Sequence, residues 1–322
     1  MQAIVQDRYG SADVLQLREV AEPAIGDDEV LVRVRAASVH VGDWHVMTGQ
    51  PYLMRVLGFG LRGPKARVRG MDAAGTVEVV GKNVAGFRPG DEVFGTCRGA
   101  FAEYAVAREA TLAPKPASLT FEQAAAVPTS ACTALKALRA GGVAPGQKVL
   151  VVGASGGVGL FAVQIARALG AEVTAVSSAA KAELVRSIGA DRVLDYAREE
   201  YAGGEQRYDL ILDMAGTRSL SDLRRALTPR GTLVPVGGEG GGRWIGGVGR
   251  SLQALALSPF VSQTLRPIVA LANAADLRFL TELIDAGKVR PVVDRTYPLG
   301  GAPDAIRRLH GGAARGKLVI AV

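Results

Sequence analysis

The residues best suited to chemistry form a glycine-rich turn at positions 153–159, with the sequence Gly-Ala-Ser-Gly-Gly-Val-Gly. An apolar run over 148–152 precedes the turn and predicts a buried strand, and apolar residues at helical spacing over 157–169 follow it. Glycines let a backbone approach a pyrophosphate, whose charge is stabilised by the free N–H groups at a helix N-terminus. Strand, turn and helix in this order predict a dinucleotide-binding site, the alternative being a tight turn without a ligand.

The end of the next predicted strand indicates which dinucleotide would bind. NAD-preferring sites place an Asp or Glu there to accept from the ribose 2′-hydroxyl, whereas this strand ends in Ser177 and Ser178, with Lys181 shortly after. Hydroxyl groups and an ammonium attract a 2′-phosphate, which a carboxylate would repel. The sequence therefore predicts NADP(H) rather than NAD(H), although Lys181 could also be an ordinary solvated residue on a helix.

Composition and charge exclude several other classes of protein. The formal net charge is +7, but the basic residues form only short pairs such as Arg224-Arg225, so a nucleic-acid partner is not expected. Cys97 and Cys132 are too few for a disulfide framework or a structural zinc lobe. The first residues lack the apolar core of a secretory signal, and no apolar run reaches the roughly 18 residues of a membrane span. These features predict a cytoplasmic protein without membrane contact.

The length of 322 residues is typical of two domains, and the first third of the chain has the pattern of a β domain. Residues 29–39 alternate apolar and polar side chains as a half-buried strand does, and shorter runs of this kind follow at 75–80, 92–95 and 101–106. Glycine and proline turn signals separate the runs. They predict a mostly antiparallel β domain.

A different pattern begins near Thr120, where residues 120–138 have helical spacing and Thr120 with Gln123 forms a candidate capping box. Strands and helices then alternate, which predicts βαβ crossovers and a parallel sheet. The strands are expected at 148–152, 172–176, 191–194, 210–213 and 232–236, and the helices at 157–169 and 179–188. The glycine-rich residues 237–249 predict a mobile loop. Strand-like runs at 289–297 and 317–322 indicate that the C-terminus returns to the first domain.

Recognisable motifs are spread along the whole chain. They are Pro89-Gly90-Asp91-Glu92-Val93, Gly99-Ala100-Phe101-Ala102-Glu103-Tyr104, Ala124-Ala125-Ala126-Val127-Pro128, the 153–159 turn, Gly189-Ala190-Asp191 with Asp195-Tyr196, and Gly316-Lys317. Together they resemble the medium-chain dehydrogenase/reductase superfamily, in its zinc-independent quinone oxidoreductase-like branch. The resemblance implies an α/β fold with a GroES-like β domain, residues 1–123 and 273–322. A Rossmann-type doubly wound parallel-sheet domain, residues 124–272, would be inserted in it and would bind NADP(H).

The resemblance also implies roles for individual residues. The pyrophosphate would be held by Ser155, Gly156, Gly157 and Val158. The 2′-phosphate would be contacted by Ser177, Lys181 and Tyr196. Thr133 would lie beside the nicotinamide, and the rest of the cofactor site would be formed by Gly216, Val236, Gly237 and Lys317.

The ligands of zinc-dependent relatives are missing from this chain. Those relatives carry a cysteine in the block that contains His40, a histidine at the position of Met71 and a second cysteine at that of Thr129. Zn²⁺ needs thiolate, imidazole or carboxylate ligands in a tetrahedron, so no metal site is predicted. Without a Lewis acid to lower the pKa of an alcohol, the expected reaction is hydride transfer to an electrophilic quinone or enone.

Two of the three histidines depart from the family pattern. The block at 38–45 usually carries Asn at the position of His40 and often Tyr at that of His45. A histidine can donate a hydrogen bond to a carbonyl oxygen that gains charge, or return a proton afterwards. His45 and His40 are therefore the predicted catalytic residues, although either could lie in an ordinary polar loop. Asp43 and Trp44 are expected to fix that loop.

Two further segments have predicted roles. The apolar, glycine-containing residues 47–69 are either a lid over a hydrophobic substrate or a surface helix packed on the domain. Members of the family commonly dimerise by pairing edge strands of the nucleotide domain, and the apolar residues 265–271 lie in about the corresponding place. A homodimer is therefore expected.

The combined prediction is an enzyme, a zinc-independent NADPH-dependent oxidoreductase. It would transfer hydride to a small hydrophobic quinone or α,β-unsaturated carbonyl. The alternatives are a metal-free NAD(P)-dependent alcohol dehydrogenase or carbonyl reductase, and an NADPH-binding regulatory protein with little turnover.

Overall fold

The computed structural model describes residues 1–204, 206–237 and 242–322. Its strands are β1 (Gln2–Gln6), β2 (Leu15–Glu19), β3 (Glu29–Val39), β4 (Asp72–Val80), β5 (Glu92–Thr96), β6 (Tyr104–Arg108), β7 (Leu112–Pro114), β8 (Lys148–Val152), β9 (Glu172–Ser177), β10 (Arg192–Asp195), β11 (Tyr208–Asp213), β12 (Leu227–Pro235), β13 (Thr264–Leu265), β14 (Val293–Pro298) and β15 (Lys317–Ala321).

The α-helices are α1 (Val41–Thr48), α2 (Phe121–Ala125), α3 (Pro128–Gly141), α4 (Gly157–Ala168), α5 (Ala182–Ser187), α6 (Leu220–Arg225), α7 (Gly242–Ile245), α8 (Val248–Leu257), α9 (Ala274–Asp285) and α10 (Ala302–His310). Short 3₁₀ turns occur at Ala12–Val14, Glu109–Thr111, Ala179–Lys181, Ser258–Phe260 and Leu299–Gly301, and a π-helical turn at Arg55–Phe59. Within the described ranges, no helix is long and apolar enough to cross a membrane.

The chain divides into two compact units. The first unit comprises Met1–Cys132, Leu271–Gly287 and Pro291–Val322, and the second comprises Thr133–Ala270 and Lys288–Arg290. The first unit is thus built from both ends of the chain.

The main sheet of the first unit has the strand order β14-β15-β3-β4-β5-β7, with β6 also paired to β3. All of its pairs are antiparallel except β14 with β15. In β3 the side chains of Val32 and Val34 are buried while those of Arg33 and Arg35 are exposed, which is the expected two-residue period. The C-terminal strand β15 pairs with β3, Leu318 opposite Val39, as the sequence predicted.

The second unit contains a parallel sheet with the order β10-β9-β8-β11-β12-β13. Starting from β8, the chain adds β9 and β10 on one side and then β11, β12 and β13 on the other. This is the strand order of the Rossmann fold, with its reversal between β8 and β11. The predicted doubly wound parallel sheet is confirmed.

Three local predictions can be compared with the structure. The capping box of Thr120 and Gln123 is present, but the helix predicted over 120–138 is divided into α2 and α3, because the ring of Pro128 removes an N–H donor and starts a new helix. The loop predicted over 237–249 is wrong for its second half, where α7 and the start of α8 lie. Residues 238–241 of that loop lie outside the described residues.

Candidate active site

The glycine-rich turn is packed tightly between β8 and α4. Gly153 has a positive φ of 85°, a conformation that residues with side chains rarely adopt. A Cβ atom on Gly159 would lie 2.3 Å from the carbonyl oxygen of Gly153 and 2.7 Å from the Cα atom of Ala154. Only glycine at position 159 therefore lets the first turn of α4 lie against the end of β8.

The N-terminus of α4 offers backbone N–H groups to an anion. Gly156 is the N-cap residue, no side chain among the described residues caps it, and the first turn has no acidic residue. The first N–H groups of a helix have no partners within the helix, and the helix dipole favours negative charge there. The predicted pyrophosphate ligands at 155–158 all lie on this turn, where a pyrophosphate would be stabilised.

A cavity of about 400 Å³ opens at the carboxyl ends of β8 and β11. Ligands of doubly wound folds bind at this point, where the strand order reverses, and the volume is in the range of small-molecule sites. The lining residues are Val152, Gly153, Ser155, Val176, Ser177, Tyr196, Tyr201, Ala215, Thr217 and Arg218. The glycine cradle and this cavity fit a dinucleotide.

The cavity brings together part of the predicted adenosine site. Ser155, Ser177 and Tyr196 line it; Ser177 is buried at the end of β9, and Tyr196, just after β10, is 58% exposed. Lys181 ends the 3₁₀ turn after β9 and is not among the described lining residues. Arg218, which the sequence did not single out, is the one charged residue in that lining.

A buried carboxylate, Asp213, organises the loops after β11 and β12. Its Oδ1 accepts a hydrogen bond of 2.9 Å from the Gly216 N–H, and its backbone carbonyl accepts one of 2.9 Å from the Val236 N–H. The Arg250 guanidinium, from α8, donates to Asp213 Oδ2 at 2.6 Å. The predicted residues Gly216, Val236 and Gly237 thus share one edge of the sheet. The supporting pair was not detectable from the sequence, since no pattern connects α8 with β11.

Two other predicted cofactor residues lie outside this group. Thr133 is in α3, and Lys317 begins β15 in the first unit. Lys317 is 3% exposed, and its Nζ donates to the carbonyl oxygen of Val39 and to the hydroxyl of Ser130, both at 3.1 Å. A contact of Lys317 with a cofactor stays a prediction.

Asp72 and Lys317 are two buried groups of opposite charge in the first unit. The Asp72 carboxylate accepts hydrogen bonds from the N–H and the hydroxyl of Thr129, in the first turn of α3. Burial raises the pKa of Asp72, and electrostatic interactions with His40 and Lys317 oppose that shift. Burial likewise lowers the pKa of Lys317, against Asp72 and Asp43. Each group depends on the opposite charge of its neighbour, because an isolated charge in the interior is strongly disfavoured.

His40 caps helix α1 with one ring nitrogen and leaves the other without a partner. Its Nδ1 accepts from the Gly42 N–H at 3.0 Å, while Asp43 Oδ2 accepts from the His40 N–H at 2.9 Å. A neutral imidazole that accepts at Nδ1 carries its proton on Nε2. This Nε2 is buried, 3.6 Å from Asp43 Oδ2, and has no hydrogen-bond partner among the described residues. His40 therefore holds a buried N–H donor that no acceptor among the described residues satisfies.

In His45 the donor and acceptor nitrogens are exchanged relative to His40. The Nδ1 of His45 lies 2.9 Å from the carbonyl oxygen of Gln50, which can only accept, so the proton is on Nδ1 and a neutral His45 is an acceptor at Nε2. His45 can give up a proton at Nε2 only when doubly protonated. The third histidine, His310, stacks on Trp44 with ring centroids 3.6 Å apart. Trp44 and Asp43 fix this segment, as predicted.

The segment 47–69 is held at several points and is exposed at 56–59. The Arg55 guanidinium lies 4.4 Å from the ring centroid of Tyr9 and 4.7 Å from that of Tyr52. Val56 and Leu57, which follow, are 71% and 69% exposed. The side chains of Val56 and Leu57 are therefore not packed on the domain, and both the lid and the packed helix stay predictions for the segment.

Comparison with known proteins gives matches over the whole chain. The models "Alcohol dehydrogenase GroES-like domain" and "Zinc-binding dehydrogenase" match residues 26–117 and 188–320. The mitochondrial NAD(P)H oxidoreductase RTN4IP1 of Mus musculus is 35% identical over 100% of this chain and 89% of its own length. The 2-methylene-furan-3-one reductase of Solanum lycopersicum is 32% identical over 97% of this chain and 76% of its own. The chain belongs to the medium-chain dehydrogenase/reductase superfamily, among its quinone oxidoreductase-like members.

Solved structures agree with the family assignment. The quinone oxidoreductase from Coxiella burnetii has a TM-score of 0.87 at 27% identity, over 100% of this chain and 99% of its own. The predicted GroES-like and Rossmann-type α/β fold is thereby confirmed. As a member of this superfamily, the chain is an oxidoreductase with a nicotinamide cofactor.

The name of one matching model implies zinc, but the donor atoms of this family member do not fit a zinc site. No group of three or more His, Cys, Asp or Glu side chains in the described part of the chain could hold a metal ion. Met71 is 38% exposed, and the Thr129 hydroxyl donates to Asp72. A tetrahedral zinc site needs thiolate or imidazole ligands at such positions.

Proposed function

We propose that this protein is a zinc-independent reductase that uses NADPH to reduce a small hydrophobic quinone or α,β-unsaturated carbonyl. The observation that carries the proposal is the lining of the cavity at β8 and β11. Hydroxyl groups of Ser177 and Tyr196 and the guanidinium of Arg218 line it, and no Asp or Glu is among its described lining residues. A carboxylate there would favour a 2′-hydroxyl and repel a 2′-phosphate. The relatives named as quinone and furanone reductases support this class of acceptor.

His40 is the proposed donor to the acceptor's oxygen. The bound nicotinamide supplies a hydride, and a quinone or enone that receives it gains negative charge on oxygen. The Nε2–H of His40 makes no hydrogen bond among the described residues, and the nearest acceptor, Asp43 Oδ2, is 3.6 Å away. An acceptor oxygen that reaches it would therefore meet an unsatisfied donor. His45, on the same helix, is the proposed proton source in its doubly protonated form.

The His40→Asn variant tests this role while preserving the helix cap. Asn is a good N-cap residue, but its short side chain removes the Nε2–H. We expect kcat to fall by about 10²-fold, with little change in NADPH affinity or melting temperature. His310→Phe is the matched control, since it removes an imidazole but keeps a ring that can stack on Trp44, and it should keep the wild-type kcat. A His40→Asn enzyme with wild-type kcat would exclude a donor role for His40.

Steady-state assays with different acceptors test the proposed reaction itself. NADPH should be oxidised by benzoquinones or by α,β-unsaturated ketones, with and without a metal chelator. Oxidation of simple alcohols with NAD⁺, combined with no turnover of any quinone or enone, would overturn the proposal. Lys181→Ala should lower the affinity for NADPH relative to NADH if Lys181 contacts the 2′-phosphate.

A further inference from the structure

Arg218 is the one charged side chain among the described residues that line the nucleotide cavity. It follows β11 by five residues, after Gly216 and Thr217. Ser177 and Tyr196, the proposed hydroxyl ligands of the 2′-phosphate, line the same cavity. Lys181, the cation expected from the sequence, is not among the described lining residues.

Arg218 is held in place by an aromatic ring. Its guanidinium carbon lies 5.2 Å from the ring centroid of Tyr201, within the range of a cation–π contact. Tyr201 is only 5% exposed and belongs to the apolar core of the second unit. A hydrogen bond with Tyr201 raises the pKa of Arg218. The cation is thus oriented by a residue that is itself fixed.

Arg218 forms an ion pair with Glu200 in the structure. The Oε2 of Glu200 accepts from Nη2 of Arg218 at 3.1 Å, and the other oxygen of this carboxylate accepts from the Ala202 N–H at 2.8 Å. The side chains of Arg218 and Glu200 are 36% and 52% exposed, and ion pairs so open to water contribute little. A guanidinium has five N–H donors, and the bond to Glu200 engages only one nitrogen, so donors are left over for a phosphate.

We propose that Arg218 is the cation that binds the 2′-phosphate of NADPH in this protein, and that Glu200 competes with that phosphate for it. This inference rests on the proposed NADPH preference and assigns it to a residue. A phosphate dianion offers several acceptor oxygens to a planar guanidinium and can replace a single exposed carboxylate contact. The Tyr201 ring limits the movement of the guanidinium and so reduces the entropy lost on binding.

Binding measurements on the full-length protein separate this role from others. The probes are NADPH with NADH, and 2′,5′-ADP with 5′-AMP, each pair differing by one phosphate. For Arg218→Ala we expect about 10- to 100-fold weaker binding of NADPH and 2′,5′-ADP. NADH and 5′-AMP should change by no more than about 3-fold, and Arg218→Lys should be intermediate because a lysine lacks the bidentate fork.

Glu200→Gln is the decisive partner variant. Removing its charge should tighten 2′,5′-ADP binding by about 2- to 5-fold while leaving 5′-AMP unchanged. If Arg218 only supported the loop, both variants would weaken all four probes, which would overturn the proposal. An equal loss for phosphorylated and unphosphorylated probes in Arg218→Ala would overturn it as well.

The wild-type measurements distinguish failure of this inference from failure of the proposed function. Equal wild-type affinities for NADPH and NADH would overturn the NADPH preference and the role of Arg218 together. A clear wild-type preference that persists in Arg218→Ala would overturn the role of Arg218 alone, and Lys181→Ala would then be the variant that removes the preference.

Discussion

Replacing Gly159 by Ala tests how closely α4 must approach β8. The added Cβ would lie 2.3 Å from a backbone oxygen and 2.7 Å from a backbone carbon, so no side-chain rotation can relieve the contact. The start of the helix must move by about 1 Å to reach ordinary contact. Forced packing of this kind costs about 1–3 kcal/mol, and the gain in helix propensity from Gly to Ala offsets at most about 1 kcal/mol. The net expectation is a destabilisation of about 1–2 kcal/mol.

The movement should affect function more than stability. A displacement of about 1 Å of groups that position a substrate can cost about 10²-fold in rate, and here the displaced groups are the N–H donors at the start of α4. Gly159→Ala should therefore lower kcat/KM for NADPH by about 10²-fold. The melting temperature should fall by several degrees, at roughly 3 °C per kcal/mol for a unit of this size.

Differential scanning calorimetry measures the melting temperature, steady-state kinetics measure kcat/KM, and nucleotide fluorescence titration measures the affinity for NADPH. Gly156→Ala is the stability control, because its Cβ would lie 3.4 Å from the nearest atom, the Gly153 oxygen, and its φ of −82° suits any residue. It should melt like the wild type. If Gly159→Ala also melted like the wild type and bound NADPH as tightly, the close approach of α4 to β8 would not be required.

Three further outcomes are expected. Burial raises the pKa of the Cys97 thiol to about 12, so Cys97 should resist iodoacetamide at about pH 8 until the protein is unfolded; rapid native labelling would contradict this. Lys317→Met should destabilise the protein by about 1–3 kcal/mol, because the Val39 carbonyl and the Ser130 hydroxyl lose a buried hydrogen-bond donor. In this variant folded Asp72 lacks a nearby positive charge, whereas unfolded Asp72 ionises near pH 4. The loss of unfolding free energy relative to the wild type, measured by urea unfolding, should therefore grow from about pH 4 to about pH 7. A loss of stability that became smaller as the pH rises would contradict this prediction. Light scattering should give the mass of a homodimer for the wild type. Val269→Asp, at a position 89% exposed, should give the mass of a monomer. An unchanged mass would exclude residues 265–271 as the dimer interface.

Much of the fold follows from local patterns. The alternation in 29–39 and the apolar run in 148–152 have the bounds of β3 and β8, because buried faces impose their period on these strands. The helix predicted over 120–138 continued through Pro128, since apolar spacing alone does not reveal where the backbone bonds are interrupted. The helical turns at 242–249 were missed because glycines dominate the composition there.

The candidate site is predictable only where its residues are close in sequence. Ser155 and Gly159 share one turn, so their spacing reveals a phosphate site. The contact of Asp213 with Arg250 joins residues 37 positions apart, and that of Arg218 with Glu200 joins residues 18 apart. Neither pair follows a helix or strand period, so only the packed chain brings these charges together.

The nested arrangement of the two units has a consequence for synthesis on the ribosome. Lys317 bonds Val39 across 278 residues of chain, and β15 takes its place between β14 and β3. The sheet of the first unit therefore cannot close before β15 is translated, whereas all described strands of the parallel sheet have been translated by Leu265. Residues 36–39 of β3, which β15 will pair, stay unpaired on that edge of the nascent chain, although β6 covers 29–33. An unpaired strand edge is prone to aggregation. A stop codon before position 317 would leave that edge permanently open.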